Sequence, residues 1–292
     1  MVTRTQQRRW RTRSLPTSKH ITTASNVMTS HAALLVAIEE LVRSAGEAVM
    51  AIYQRDFEVY QKADKSPLTE ADLLAHDIIR RGLRELSADP ILSEEDKHIP
   101  WQQRQAWSRY WLVDPIDGTK EFIRKSDEFT LNIALIERGI PIVSIVYAPA
   151  LGVLYTAAKG MGAWKQDQHS RRALKLTQTA QQAPLRALIS RSHSSREAAV
   201  LTAVYPAIEF IEKGSSLKLC AVADGQADLY LRLGPTSEWD TAAAQCIVES
   251  AGGQVLSAEL QALKYNQKES VLNPAFIVSR CVQAEYALLF QN

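Results

Sequence analysis

Apolar residues recur every three or four positions from Leu34 to Ile52. This spacing predicts an amphipathic helix, and Ser30 is a suitable N-cap for it. A similar pattern follows Thr69 and places Asp72 in the first turn of a second helix, where a negative charge is favourable. The polar segment 62–69 contains a proline and predicts a turn between the two helices.

Short apolar runs replace the helical pattern after residue 90. Runs that predict strands before residue 160 lie at 110–113, 130–136, 142–147 and 153–157. The aromatic and polar segment 101–110 predicts a surface helix. Residues 140–158 are the most apolar stretch, but their prolines and central glycine favour two strands and a turn over a membrane span.

Strands and helices alternate in the second half of the chain. Predicted strands lie at 185–189, 208–211, 229–231 and 276–278, and predicted helices at 195–204 and 241–251. The change near residue 160 predicts an N-terminal α+β subdomain, residues 31–160, that carries the acidic motifs. A C-terminal α/β subdomain follows at residues 161–292. Residues 1–30 are predicted to be a basic, disordered extension.

The charge is distributed unevenly along the 292 residues. Six of the 34 basic residues and none of the 32 acidic residues lie in residues 1–30, so residues 31–292 carry a net charge of −4 although the whole chain carries +2. A mildly acidic body argues against a broad nucleic-acid-binding surface, and no nucleic acid polymer is expected as a partner. The three cysteines form no C-x-x-C pair, which predicts a reduced, cytoplasmic setting.

The extension at residues 1–30 lacks the apolar segment of a secretory signal. Its Arg-, Ser- and Thr-rich, acid-free composition resembles an organellar transit peptide. A disordered tail and translation from Met28 are the alternatives. Its arginines would also suit anionic lipid, so peripheral binding to the cytoplasmic face of the inner membrane stays open.

Carboxylates lie at several structural transitions, and the densest group is the segment Asp114-Pro-Ile-Asp117-Gly-Thr. Its two acids are three residues apart and directly follow a predicted strand. Oxygen ligands without neighbouring His or Cys suit Mg²⁺ rather than Zn²⁺. Further acids end an apolar run at Glu94 and Glu95 and begin the predicted helix near Asp240. Together these acidic segments indicate a metal site.

The acidic motifs together resemble those of the inositol monophosphatase superfamily. The resemblance covers residues 30–282 and rests on Glu94-Glu95, on Asp114 to Thr119 and on Trp239-Asp240-Thr241. Segments 62–67, 190–193 and 214–218 are similar to its bacterial 3'(2'),5'-bisphosphate nucleotidases. The implied fold is α/β, an α-β-α-β-α layered sandwich of two subdomains with the metal site between them.

The resemblance also implies roles for individual residues. Two or three Mg²⁺ ions would be held by Glu94, Asp114, the carbonyl of Ile116, Asp117 and Asp240. Catalytic roles fall to Thr119 and Asp72, which would orient and deprotonate the attacking water, and to Glu95, which would hold a further metal ion through water. The implied substrate contacts are Gly118, Thr119, Ser190, His193, Gly214, Lys218 and Asp240.

The implied activity is Mg²⁺-dependent, Li⁺-sensitive removal of the 3'-phosphate of adenosine 3',5'-bisphosphate, giving AMP and phosphate. The sulfated nucleotide is a further expected substrate, and the activity would be linked to sulfur assimilation. Two alternatives stay open: an inositol or sugar monophosphatase of the same superfamily, and a sensor that binds nucleotide or metal without turnover. A monomer and a homodimer are both compatible with the sequence.

Overall fold

The computed structural model of the protein describes residues 30–62, 66–96, 99–177, 184–191, 195–281 and 283–291. Its first helix, α1 (His31–Tyr53), begins at the predicted N-cap, where the Ser30 hydroxyl accepts a hydrogen bond from the Ala33 N–H at 3.3 Å. A short hairpin of β1 (Val59–Gln61) and β2 (Pro67–Thr69) follows. The second helix, α2 (Glu70–Leu86), begins after Thr69 as predicted.

A seven-stranded sheet forms the middle of the chain. Its strands, in spatial order, are β3 (Ile91–Ser93), β4 (Arg109–Asp117), β5 (Thr130–Glu137), β6 (Ile140–Ala148), β7 (Val153–Ala158), β8 (Gly162–Gln166) and β9 (Arg171–Leu174). Helices α3 (Trp101–Arg104) and α4 (Thr119–Ile123) flank β4. The pair β3 and β4 is parallel, and every other neighbouring pair is antiparallel.

A five-stranded sheet follows. The remaining elements, in chain order, are β10 (Arg186–Ile189), α5 (Ser195–Val204), β11 (Glu209–Glu212), α6 (Leu217–Ala223), β12 (Leu229–Arg232), α7 (Glu238–Ser250), β13 (Gln254–Ser257), β14 (Phe276–Ser279) and a 3₁₀ helix (Ala284–Phe290). The spatial order of the strands is β11-β10-β12-β14-β13. Parallel pairs join β10 to β11 and β12, whereas β14 pairs antiparallel with β12 and β13.

The central strands of the seven-stranded and five-stranded sheets are buried on both faces. On one face of the large sheet, Trp111 and Val113 of β4 pack in a core shared with α1 and α2. On the other, Leu112 joins a core that contains α6, α7 and the inner face of the small sheet. The outer face of the small sheet packs on α5 and the 3₁₀ helix. The layers therefore run α-β-α-β-α, and the predicted layered α/β sandwich is confirmed.

The structure corrects two predicted elements. The helix predicted at 101–110 is wrong beyond its first turn, because α3 ends at Arg104 and Tyr110 is already a buried residue of β4. The strand predicted at 110–113 continues to Asp117, so Asp114 and Asp117 lie within the strand and not beyond it. The apolar stretch 140–158 is two strands and a turn, as predicted.

Two expectations about organisation stay predictions. The division after residue 160 does not coincide with the end of the large sheet, because β8 and β9 extend that sheet to Leu174. Residues 1–29 of the predicted basic extension lie outside the described residues, and its last residue, Ser30, is the N-cap of α1. Across the described part of the chain, no helix combines the length and the apolar character needed to cross a membrane. Cys220 and Cys246 are buried.

Candidate active site

An irregularity in β4 brings its two aspartates to one face. Asp114 pairs with Asn132 on β5, and Asp117 pairs with Thr130, so three steps along β4 match two steps along β5. In a regular strand, residues three apart point to opposite faces, whereas residues two apart share a face. The extra residue of this bulge therefore places both carboxylates on the side of the sheet that faces the second half of the chain.

The third acid comes from the first turn of α7. The N–H of the N-cap residue Ser237 donates to Asp240 Oδ2 at 2.8 Å, which fixes the carboxylate at the helix start. Ligand oxygens of Asp114, Asp117 and Asp240 all lie within 4.8 Å of one another. Three acids at this separation offer oxygen ligands for a divalent cation.

Burial and mutual repulsion dominate the electrostatics of this acid trio. Burial raises the pKa of Asp117 to about 6, against the opposing effect of the Lys218 ammonium. The pKa of Asp114 lies well above its ordinary value because the group is buried and because Glu94, Asp117 and Asp240 repel its charge. Neither carboxylate oxygen of Asp114 has a hydrogen-bond partner among the described residues. Buried charges without partners are costly, so this donor set fits a bound cation.

Glu94 and Glu95 follow the parallel neighbour of β4. The Glu94 N–H donates to the Val113 carbonyl at 3.1 Å, so the residue continues β3 beside the aspartates. The Lys62 ammonium donates to Glu94 Oε1 at 2.7 Å and to Glu95 Oε1 at 2.6 Å. Burial raises the pKa of Glu95 to about 7 although Lys62 opposes this shift. Lys62 thus pairs with the predicted metal ligand Glu94 and also with Glu95, which was predicted to hold a further metal ion through water.

Thr119 and Asp72 meet beside the acid trio. Asp72 is the third residue of α2, and its Oδ2 accepts hydrogen bonds from the N–H and the hydroxyl of Thr69 at 2.7 and 2.5 Å. Its other oxygen, Oδ1, accepts from the Thr119 hydroxyl at 3.2 Å. Burial raises the pKa of Asp72 above its ordinary value. The Thr119 hydroxyl also lies 3.3 Å from the Ile116 carbonyl oxygen.

A cleft of about 190 Å³ opens beside two acids of the trio, Asp117 and Asp240. It is lined by Asp117, Gly118, Ser190, Lys218, Arg232 and Asp240, among others. Lys218 is buried, its ammonium donates to the Ser215 carbonyl at 2.7 Å, and burial lowers its pKa. The Arg232 Nε atom has no hydrogen-bond partner in the described chain. The cleft thus presents carboxylates at one end and two cationic side chains along its wall.

Two glycines allow the loops around the cleft to approach closely. Gly118 has φ +90°, a conformation that residues with a Cβ rarely adopt, and it begins α4. A Cβ on Gly214 would lie 2.9 Å from the Glu128 carbonyl oxygen. The Gly214 N–H donates to Glu128 Oε2 at 2.8 Å. Segment 214–218 is therefore held directly against the loop that joins α4 to β5.

The structure brings most of the predicted site residues together. Asp117 and Asp240 of the acid trio line one cleft with Gly118, Ser190 and Lys218. Asp114 lies within 4.8 Å of these two acids, and Thr119 contacts Asp72 and the Ile116 carbonyl. Gly214 contributes backbone packing, and His193 lies outside the described residues. Sequence reasoning did not identify Ser216, Thr130, Asn132 or Arg232. The two β5 residues carry no charge and follow a simple polar alternation, so only the strand register reveals that they lie opposite the aspartates.

Comparison with known proteins gives consistent results. Residues 31–289 match the Inositol monophosphatase family. The protein called 3'(2'),5'-bisphosphate nucleotidase CysQ from Shigella flexneri is 48% identical over 243 residues, which cover 82% of this chain and 97% of that protein. Its namesake from Escherichia coli K12 is 47% identical with the same coverage.

A solved structure agrees with these matches. The crystal structure of CysQ from Bacteroides thetaiotaomicron, described as a bacterial member of the inositol monophosphatase family, superposes with a TM-score of 0.75 at 37% identity. The superposition covers 87% of this chain and 98% of that one. Sequence and fold therefore place the chain among the same relatives.

Proposed function

Because the chain belongs to the inositol monophosphatase family, we propose that it is a Mg²⁺-dependent phosphatase that removes the 3'-phosphate of adenosine 3',5'-bisphosphate. Its relatives named as 3'(2'),5'-bisphosphate nucleotidases support this substrate class. The carrying observation is a cleft lined by two acids of the trio, Asp117 and Asp240, together with Lys218 and Arg232. Such a cleft suits a ligand with two phosphate groups, one at the acids and one at the cations.

The proposed Mg²⁺ ligands are Glu94, Asp114, the Ile116 carbonyl, Asp117 and Asp240. Bound Mg²⁺ would polarise the phosphoryl oxygens, lower the pKa of the attacking water and stabilise the leaving oxygen. The buried, unpartnered oxygens of Asp114 support a cation at this place. Glu95 is proposed to act through a water molecule at a further ion, in place of its contact with Lys62.

Thr119 and Asp72 are proposed to handle the proton of the attacking water. The Thr119 hydroxyl donates to Asp72 Oδ1, so its lone pairs are free to accept a hydrogen bond from that water. Asp72 can then take up the proton, because burial raises its pKa above that of an ordinary aspartate. No covalent enzyme intermediate is required.

The second phosphate of the substrate is proposed to bind at the cationic wall of the cleft. Lys218 offers a point charge, and the Arg232 guanidinium can bind two phosphate oxygens at once. Ser190 lines the same cleft and is placed to contact the nucleotide. The sulfated nucleotide carries a similar charge at this position, so it is a further proposed substrate.

The direct test is phosphate release from adenosine 3',5'-bisphosphate and from inositol 1-phosphate, each with Mg²⁺, with EDTA, and with Mg²⁺ plus Li⁺. We expect release from the nucleotide that requires Mg²⁺ and that Li⁺ inhibits. Preference for inositol 1-phosphate would retain the metal site and contradict the nucleotide assignment. No release from either compound would favour a sensor without turnover.

Two aspartate variants identify the site behind that activity. Asp117→Asn removes a proposed metal ligand and should abolish most phosphate release while the far-UV circular dichroism stays unchanged. The control is Asp77→Asn, the same substitution on the exposed face of α2. Near-normal turnover by Asp117→Asn would contradict the role of Asp117.

A further inference from the structure

We propose that Ser216 is a positioning residue for the metal site, a role that rests on the proposed function. The Ser216 N–H donates to Asp117 Oδ2 at 2.5 Å. This bond engages one carboxylate oxygen and leaves the other for a cation. Charge-assisted hydrogen bonds of this kind set the orientation of a carboxylate as well as stabilising it.

The side chain of Ser216 is itself held in place from β5. Ser216 is only 2% exposed, and its hydroxyl donates to Asn132 Oδ1 at 2.9 Å. The same hydroxyl lies 2.8 Å from Thr130 Oγ1. Because a serine hydroxyl has a single hydrogen, which here goes to Asn132, Thr130 must be the donor in the second bond. Three buried polar side chains therefore form one connected network.

The network lies beside the aspartates of the metal site, on the same face of the sheet. Thr130 pairs with Asp117 and Asn132 pairs with Asp114, so the β5 side chains share a face with the aspartates. The Asn132 Nδ2 group is buried and has no partner among the described residues, as is also true of the Asp114 oxygens opposite it. Burial of so many polar groups in one layer costs free energy, which a purely structural layer of apolar side chains would avoid.

The network also links the two halves of the site. Ser216 belongs to segment 214–218, which lines the cleft with Lys218, whereas Asp117 belongs to the metal site. Its backbone N–H and its hydroxyl contact β4 and β5, respectively. Ser216 thus sets the position of the cleft wall relative to the metal-site acid Asp117. Partners that orient metal ligands typically change metal affinity by about 10–100-fold when removed.

The test is Mg²⁺ binding by isothermal titration calorimetry, without substrate, on the full chain and its variants. Ser216→Ala keeps the N–H but removes the hydroxyl that holds it, and Thr130→Val removes the partner hydroxyl while keeping its shape. We expect each to weaken Mg²⁺ binding by about tenfold. Thr130→Ser keeps the hydroxyl and should bind Mg²⁺ like the wild type.

The control is Ser279→Ala, which removes another buried serine hydroxyl whose hydrogen bond is to the Cys281 carbonyl. It should leave Mg²⁺ affinity unchanged. If Ser216→Ala binds Mg²⁺ within twofold of the wild type, the inference is wrong, even if the variant unfolds at a lower temperature. If Ser216→Ala does not fold, the Thr130→Val and Thr130→Ser pair decides by the same criterion.

Failure of the proposed function can be distinguished from failure of the role proposed for Ser216. If the wild type shows no Mg²⁺ binding, the metal site and the role of Ser216 are both overturned. If the wild type binds Mg²⁺ and Asp117→Asn does not, the metal site stands and only the Ser216 variants test the inference. A double variant, Ser216→Ala with Thr130→Val, should bind Mg²⁺ no more weakly than Ser216→Ala alone, because that change already removes the contact with Thr130.

Discussion

Three carboxylates at the site use one oxygen to accept a backbone hydrogen bond and have the other directed to the proposed chemistry. Oδ2 of Asp72, Asp117 and Asp240 accepts a backbone N–H, from Thr69, Ser216 and Ser237, respectively. For Asp72 the other oxygen contacts the Thr119 hydroxyl. Asp114 differs, because neither of its oxygens has such a partner among the described residues. Backbone contacts therefore orient three of the acids, and bound cations would have to orient the fourth.

At the scale of single residues, the role of the Thr119 hydroxyl can be tested directly. Thr119→Val keeps the shape of the side chain but removes the contact with Asp72. We expect kcat for the nucleotide to fall by about 10²–10⁴-fold, the usual contribution of a group that transfers a proton. Mg²⁺ affinity, measured by calorimetry, should stay near that of the wild type. Thr119→Ser should retain most of the activity. Turnover by Thr119→Val equal to that of the wild type would contradict the role of the Thr119 hydroxyl in proton transfer.

The sequence predicted the longer elements because their patterns are local. The helix from 195 to 204 was predicted with its observed bounds, and α1 and α2 begin at their predicted caps. Helix α6 was missed because all seven of its residues are buried, so it has no polar face to produce a period. Helix α4 has five residues, which is too short for a pattern.

The site was predictable only where its residues carry charge or belong to a motif. The acid trio stands at abrupt changes from apolar to acidic sequence, so each member could be found from the chain alone. Thr130, Asn132 and Ser216 are small and uncharged. Their importance depends on strand register and on two long-range contacts of Ser216, with Asn132 at a sequence separation of 84 residues and with Thr130 at a separation of 86 residues. Such contacts exist only after the two sheets have packed.

An element-scale prediction concerns the N-cap of α2. Thr69→Ala removes the cap and one hydrogen bond to Asp72 Oδ2, so it should lower the free energy of unfolding by about 1 kcal/mol and also lower kcat. Ser30→Ala removes the exposed cap of α1, which has no contact with the site. It should cost no more stability and leave kcat unchanged. Urea denaturation measures the change in stability, and phosphate release measures kcat. Equal kcat values for both variants would contradict the proposed effect of the α2 N-cap on turnover.

At the scale of the whole molecule, the site lies where the large sheet meets the second half of the chain. Asp114 and Asp117 come from the large sheet, Asp240 from a helix between the sheets, and Arg232 from the small sheet. Assembly of the site therefore depends on packing of both sheets against α6 and α7. Metal binding should in turn stabilise the whole molecule, because the ligands come from separate elements.

The stability of the metal-free protein should fall as pH rises from about 4 to 7. Burial raises the pKa of Asp117 to about 6 and that of Glu95 to about 7, so the folded protein binds more protons than the unfolded chain in this range. Stability then decreases with pH. His76, whose pKa burial lowers, acts in the opposite direction. Several further acids act in the same direction as Asp117 and Glu95, because burial raises their pKa values: Asp72, Asp114, Glu238 and Asp240.

Urea denaturation in EDTA at pH 5.5, 6.5 and 8 measures this effect. We expect the free energy of unfolding to be lower at pH 8 than at pH 5.5 by roughly 2–4 kcal/mol, since one pKa unit corresponds to about 1.4 kcal/mol. Saturating Mg²⁺ at pH 8 should remove most of the difference. Stability that rises with pH in EDTA would show that the acids are not destabilising in the folded protein.

Removal of the basic extension tests the organisation of the chain. Every proposed site residue lies after residue 61, and the family match begins at residue 31. A chain that starts at Met28 should therefore keep the kcat/KM of the full chain for the nucleotide. Phosphate release from both forms measures this, and a large loss in the shorter form would make the extension part of the enzyme.

The bulge in β4 has a genetic consequence. Pro115 and Ile116 have no paired residue on β5, so the ladder leaves the carbonyl of Ile116 available as a proposed ligand. Any residue type supplies a backbone carbonyl, so the position of this ligand depends on how many residues the bulge contains and not on which residues they are. A scan of point mutations would report only the packing of the Ile116 side chain and miss the ligand. Loss of one codon within the bulge would remove that ligand while every acid remained in the sequence.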